Sequence, residues 1–93
     1  MPFLYELKLH ADEPSYTFVQ QLAPAGSLVG TNQPVATLTD GKMEFHLPAP
    51  RQGLLVEWLV QHGDVIENRD VLARIVCEGE AVEVPAAIPT RLG

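Results

Sequence analysis

Apolar residues come along this chain in short runs, at residues 4–9, 17–22, 35–38, 45–47, 54–60 and 71–76, and most of them are β-branched, leucine or aromatic. Between the runs stand Pro14, Pro24-Ala25-Gly26, Asn32-Gln33-Pro34, Asp40-Gly41, Arg51-Gln52-Gly53, His62-Gly63-Asp64 and Asn68. Short runs at regular spacing, each bounded by turn chemistry, predict strands joined by tight connections. Eight prolines and seven glycines leave residues 64–76 as the one window long enough for a helix. That window shows no helical stripe. The pattern predicts an all-β sandwich or flattened barrel.

The chain also repeats itself. Shifting residues 17–38 by 37 positions places Val19 on Val56, Leu22 on Leu59, Gly26 on Gly63 and Ala36 on Ala73. Phe18 then meets Leu55, Leu28 meets Val65, Val29 meets Ile66, Val35 meets Leu72 and Leu38 meets Ile75. Apolar positions and a turn glycine keep step throughout, and a unit of this length cannot bury its apolar face alone. Two similar sheets facing one core are expected, with Gly26 and Gly63 in equivalent turns that need positive φ.

Asp40-Gly41 lies between two strand-like runs, the pattern of a type I′ hairpin in which Gly41 takes positive φ. Lys42 follows it, so its amine is expected at the hairpin tip. Lys8 lies inside the first strand pattern. A lysine after a turn is ordinarily a solvated charge, and Asp40 and Glu44 read equally well as recognition acids or as solubilising ones.

Ninety-three residues make one domain. The net charge of −6 and the absence of a basic run argue against nucleic acid and anionic membrane surfaces as partners. No apolar stretch approaches the roughly 20 residues of a membrane span. The N-terminus lacks the features of a signal peptide, and one cysteine, Cys77, excludes an internal disulfide framework, so a cytoplasmic location is expected. Cys77 reads as a small buried hydrophobe and Trp58 as a core or half-buried residue of the second sheet rather than an exposed partner contact. His10, His46 and His62 show no ligand spacing, so no metal site is expected. No nucleophile–base arrangement or phosphate loop is recognisable, and no enzyme activity is expected of the chain itself.

The segment Leu-Thr-Asp-Gly-Lys-Met-Glu-Phe-His-Leu-Pro-Ala-Pro-Arg-Gln-Gly, residues 38–53, resembles the lysine hairpin of lipoyl and biotinyl attachment domains. In that family the modified lysine is followed by an Ala-Pro element and a glycine, matched here by Pro48-Ala49-Pro50 and Gly53. A turn glycine precedes the lysine by sixteen residues, as Gly26 does, and a Gly-Asp pair opens the second turn, as Gly63-Asp64 does. The resemblance covers residues 16–76. It implies a barrel-sandwich hybrid, two small antiparallel sheets with internal pseudo-two-fold symmetry, over residues 1–80, with 81–93 as a short edge strand or flexible tail. Within that tail Val82-Glu83-Val84 alternates like a strand and 85–93 reads as linker, so a free-standing domain is expected.

The resemblance further implies a swinging-arm carrier. A ligase joins a prosthetic group to the Lys42 amine from an activated acyl-adenylate, and catalytic subunits of a multienzyme complex are served by it. Asp40, Gly41, Met43 and Glu44 supply the hairpin context. Lipoyl domains show an acid directly before the lysine and biotinyl domains show methionine on both sides, whereas here Gly41 precedes and Met43 follows. Asp40, Pro48-Ala49-Pro50 and a surface loop at residues 11–15 favour lipoic acid, on a 2-oxo acid dehydrogenase or related acyl-transfer system. Met43-Glu44 favours biotin as the alternative. An unmodified adaptor on the same fold is the second alternative.

Overall fold

Each of the six apolar runs forms a strand in the computed structural model, which describes residues 2–10, 15–79, 84 and 86–92. In chain order the strands are β1 (Phe3–Lys8), β2 (Ser15–Gln21), β3 (Leu28–Val29), β4 (Pro34–Thr39), β5 (Glu44–Pro48), β6 (Gly53–Trp58), β7 (Val65–Glu67), β8 (Val71–Cys77) and β9 (Thr90–Arg91). They build two antiparallel sheets, ordered β1-β8-β6-β3 and β7-β2-β4-β5-β9. No helix occurs among the described residues. The loop at residues 11–14 and the alternation at Val82-Glu83 lie outside the described residues.

The 37-residue repeat is a pseudo-two-fold axis of the structure, kept pair by pair. In β2–β4 the partners are Thr17 with Thr39, Phe18 with Leu38, Gln20 with Thr37 and Gln21 with Ala36. In β6–β8 they are Leu54 with Val76, Leu55 with Ile75, Glu57 with Arg74 and Trp58 with Ala73, each 37 positions on. Both pairs carry their register shift at the same place, at Val19 and at Val56. The turns match as well. Gly26 (φ 94°) donates to the Leu55 carbonyl and Gly63 (φ 89°) to the Phe18 carbonyl. Asn32 (φ 67°) donates to Ala49 and Arg69 (φ 75°) to Leu9, again at matched positions.

The axis also decides what is buried. Leu38 and Ile75, Phe18 and Leu55, Val35 and Leu72, and Val29 and Ile66 are all core residues. In β2 the buried residues alternate, Tyr16 and Phe18, as the two-residue period of a strand requires, whereas β4 and β8 also bury the small Ala36 and Ala73 next to Val35 and Leu72. Fully burying a side chain of this size contributes about 1.5–3 kcal/mol.

β1 is the partner of β5 in this symmetry. Leu7 pairs with Ala73 as Leu47 pairs with Ala36, and both leucines are fully buried. The N-terminal strand thus supplies the fourth strand of the second half. One consequence positions the site. In the first half β4 passes into β5 through a hairpin, whereas at the equivalent point of the second half Cys77 ends β8, Phe3 begins β1 and the chain is open. β3 lies beside the start of β6 and leads within five residues into β4, so the two points lie at opposite ends of the barrel.

The tail carries a short edge strand, at residues other than the Val82-Glu83-Val84 alternation that suggested one. Ala87 is bound on both sides, its N–H donating to the Lys8 carbonyl (2.8 Å) and its carbonyl accepting from His10 (2.8 Å). β9 then pairs with β5, Arg91 opposite Phe45 and Thr90 opposite His46. A strand therefore lies within the stretch that reads as linker. It has no apolar alternation of its own, and the open edge of β5 supplies its partner.

Candidate functional site

Thr39 and Glu44 are the last paired residues of the β4–β5 hairpin, so its loop holds four residues, Asp40 to Met43. This corrects the two-residue type I′ turn expected from Asp40-Gly41. A type I′ turn needs positive φ at both central residues, and here Gly41 alone has it, at 97°. The side chains of Thr39 and Asp40 explain the longer loop. Asp40 Oδ1 accepts from the backbone N–H of both Lys42 (2.8 Å) and Met43 (2.8 Å). Thr39 Oγ1 accepts from Gly41 N–H (3.0 Å) and donates to the Met43 carbonyl (2.8 Å), while Asp40 N–H donates to that same carbonyl (3.2 Å). Short polar side chains that bond the backbone two or three residues on define turns of this kind.

Lys42 stands on this loop fully on the surface. The described ion pairs both centre on Arg74, which bridges Glu6 and Glu57 on the other sheet. The Lys42 amine thus forms no ion pair with a described carboxylate, and Asp40 feels its charge only as the smallest influence on its carboxyl. Its backbone is held by Asp40, so the stem is fixed while the side chain is free to sweep. The two amide donors hold the Asp40 carboxyl below its ordinary value of 3.8, Met43 N–H first and Lys42 N–H second. The carboxylate form is thus the form that organises the loop.

The five residues of the predicted site lie together on this loop and the first position of β5. Gly41 is held where a side chain would meet no atom within 4 Å, so only its backbone conformation demands glycine. Met43 and Glu44 are exposed. Sequence reasoning missed two contributors. Thr39 ties the loop twice, and a threonine before Asp-Gly carries that turn signal. Leu92 N–H donates to the Glu44 carbonyl (3.1 Å), which brings the tail to the hairpin, and no local pattern marks it.

The other singled-out residues serve the framework. Trp58 is half-buried, tilts against Phe18 at 5.5 Å between ring centroids and donates its indole N–H to the Ala23 carbonyl (2.8 Å). His62 Nδ1 lies 2.6 Å from the carbonyl of the bulged Val19. Cys77 is buried, and burial pushes its thiol above the ordinary value, so it is not a poised nucleophile. Lys8 ends β1, its carbonyl committed to Ala87.

Known proteins bear on this geometry at the level of the family. A search of curated proteins returns no match. The family model described as biotin-requiring enzyme matches residues 11–75, from before β2 to the penultimate pair of β8, with the hairpin at its centre. Together with the two pseudo-symmetric sheets, this match over most of its length shows that the chain belongs to the biotinyl/lipoyl attachment domain family.

Proposed function

We propose that residues 1–80 are a carrier domain whose Lys42 bears a lipoyl group in amide linkage and presents it to partner enzymes. The observation that carries this reading is the hairpin: an exposed lysine amine, without a described ion pair, on a loop whose backbone is tied by five hydrogen bonds. A ligase needs a nucleophile it can reach, and a carrier afterwards needs a stiff stem under a mobile arm. Both requirements are met at one residue.

The residues present fit such a group. Attachment forms a bond between Lys42 Nζ and the acyl carbon, expels the activating group and releases a proton, so the charge at residue 42 is lost. No described residue depends on that charge for an ion pair. Once bound, a lipoyl group supplies redox and acyl-carrying chemistry that no side chain possesses. Tethering holds it at a high effective concentration before each partner.

Gly41 stands where lipoyl domains carry an acid, and the capping role of Asp40 one residue earlier accounts for the displacement. Asp40 is the acid of the site, and its work is to shape the loop. Met43 is the feature on the biotin side. Intact-mass spectrometry of protein purified from its native host, grown with lipoate and biotin both in excess, tests the reading. The increment of one lipoyl group is expected. A biotinyl increment would replace the cofactor, and a bare chain would leave the unmodified adaptor.

A further inference from the structure

Strand β9 stands outside the pseudo-two-fold axis. The other eight strands pair off, β2 with β6, β3 with β7, β4 with β8 and β5 with β1, and β9 has no mate among the described residues. It also lies beyond the stretch that the family model matches. This one extra strand sits on the edge of β5, and its Leu92 reaches Glu44, two residues from Lys42.

We propose that the outer edge of β5 beside Lys42 is an acceptor site for an extended segment of a partner protein, and that β9 occupies this site in cis when the partner is absent. The edge site stands on its own geometry; its use by enzymes that act on Lys42 rests on the function proposed above.

Three observations carry the inference. First, β9 is held weakly. Two residue pairs and the Leu92–Glu44 bond join it to β5, and each such backbone bond replaces a bond to water and so adds little net stability. Thr90 and Arg91 are exposed and polar, so Leu92, 37% exposed, is the one apolar side chain that lifting the segment uncovers. Second, the anchor is separate from the strand. Ala87 is buried and bonded on both sides, whereas Ile88 is exposed, so β9 can leave by pivoting at residues 88 and 89 with the core kept closed. Third, the edge has a chemical character. The acid Glu44 opens it, and the chain's own strand places Arg91 opposite the next residue, Phe45.

An unpaired strand edge is a template for another extended chain. The segment that fits this one runs antiparallel to β5 and carries a basic residue opposite Phe45. Because the tail is tethered at Ala87, its local concentration is millimolar or higher. A competing segment must therefore come from a protein already docked at the hairpin, which restricts access to partners that engage both.

The test opens the edge without touching the anchor. Thr90→Pro with Leu92→Pro removes two backbone donors of β9 and leaves Ala87 in place. Ladder alternation turns the His46 amide towards β9. Its hydrogen exchange should rise about tenfold or more in the double variant, with the amides of β8 unchanged. A synthetic peptide of the sequence Ile-Pro-Thr-Arg-Leu should restore that protection and bind the double variant at least about tenfold more tightly than the parent, read by amide shifts at residues 44–46. Unchanged His46 exchange, a peptide that does not restore protection, or equal binding to the parent each overturns the proposal. Repeating the measurement in Lys42→Arg should change none of these readouts, so failure of the carrier function and failure of the edge site remain distinct results.

Discussion

At the hairpin end of the barrel, Val65, Thr17, Thr39 and Glu44 stand side by side across β7, β2, β4 and β5. At the opposite end their pseudo-equivalents Leu28, Leu54, Val76 and Leu4 stand side by side across β3, β6, β8 and β1. Both rows face outward, and the backbone beneath them keeps the same register. One row is mostly polar and the other wholly apolar, with Leu28 79% and Leu4 55% exposed. The fold accepts either, because neither row enters the core. The symmetric interior specifies the architecture, and the sites where symmetry breaks distinguish the end that bears the hairpin. Only there does a hairpin join the third and fourth strands of a half, and only there does a lysine stand on it.

If the two halves are equivalent where it matters for folding, matched core truncations should cost alike. Leu38→Ala and Ile75→Ala are each expected to destabilise by about 2–5 kcal/mol, measured by chemical denaturation, with values within ~1 kcal/mol of each other. A large difference would show that one half folds as a scaffold for the other. The turn glycines sharpen the same point. Gly26→Val and Gly63→Val should each cost about 1–3 kcal/mol in positive-φ strain, since a Cβ at either position meets no atom within 4 Å. Two unmoved thermal midpoints would contradict the equivalence.

Exchanging the outer rows should do much less. Leu54→Thr and Thr17→Leu place each end's residue on the other, and each is expected to change stability by under about 1 kcal/mol, the range of cross-strand pairs. The smallest effect belongs to the hairpin alone. Asp40 has a folded value below 3.8, so its contribution is present above 3.8 and is lost as pH falls through the lower folded value. The Lys42 and Met43 amide signals should titrate together with a midpoint below 3.8, and Asp40→Asn should abolish that titration.

Most of the architecture was legible because both of its causes are local in the chain. Runs such as residues 71–76 supply the buried Leu72, Ala73 and Ile75, and the 37-residue offset aligns Gly26 with Gly63 and Leu38 with Ile75. β3 and β7 are too short to form runs, and they emerge only through their pairing with β6 and β2. The hairpin was legible in place but not in type. Asp-Gly names a turn, yet the Asp40 and Thr39 side chains take over bonds that a two-residue loop makes with backbone. A short edge strand was one of the two expectations for 81–93, and the place of β9 was illegible for a different reason. Thr90 and Arg91 carry no strand pattern, and their conformation comes from the edge of β5, more than forty residues earlier in the chain.

The central claim is that the end bearing the hairpin is the end that is modified. The chain has two lysines, Lys42 on the loop and Lys8 at the end of β1. Peptide-level mass spectrometry of the protein from its native host, as parent, Lys42→Arg and Lys8→Arg, tests the claim most directly. An arginine keeps the charge but gives no free amine at usable pH. The account predicts one lipoyl group on the peptide containing Lys42 in the parent and in Lys8→Arg, and none in Lys42→Arg. A prosthetic group that persists in Lys42→Arg, or that maps to Lys8, would contradict it.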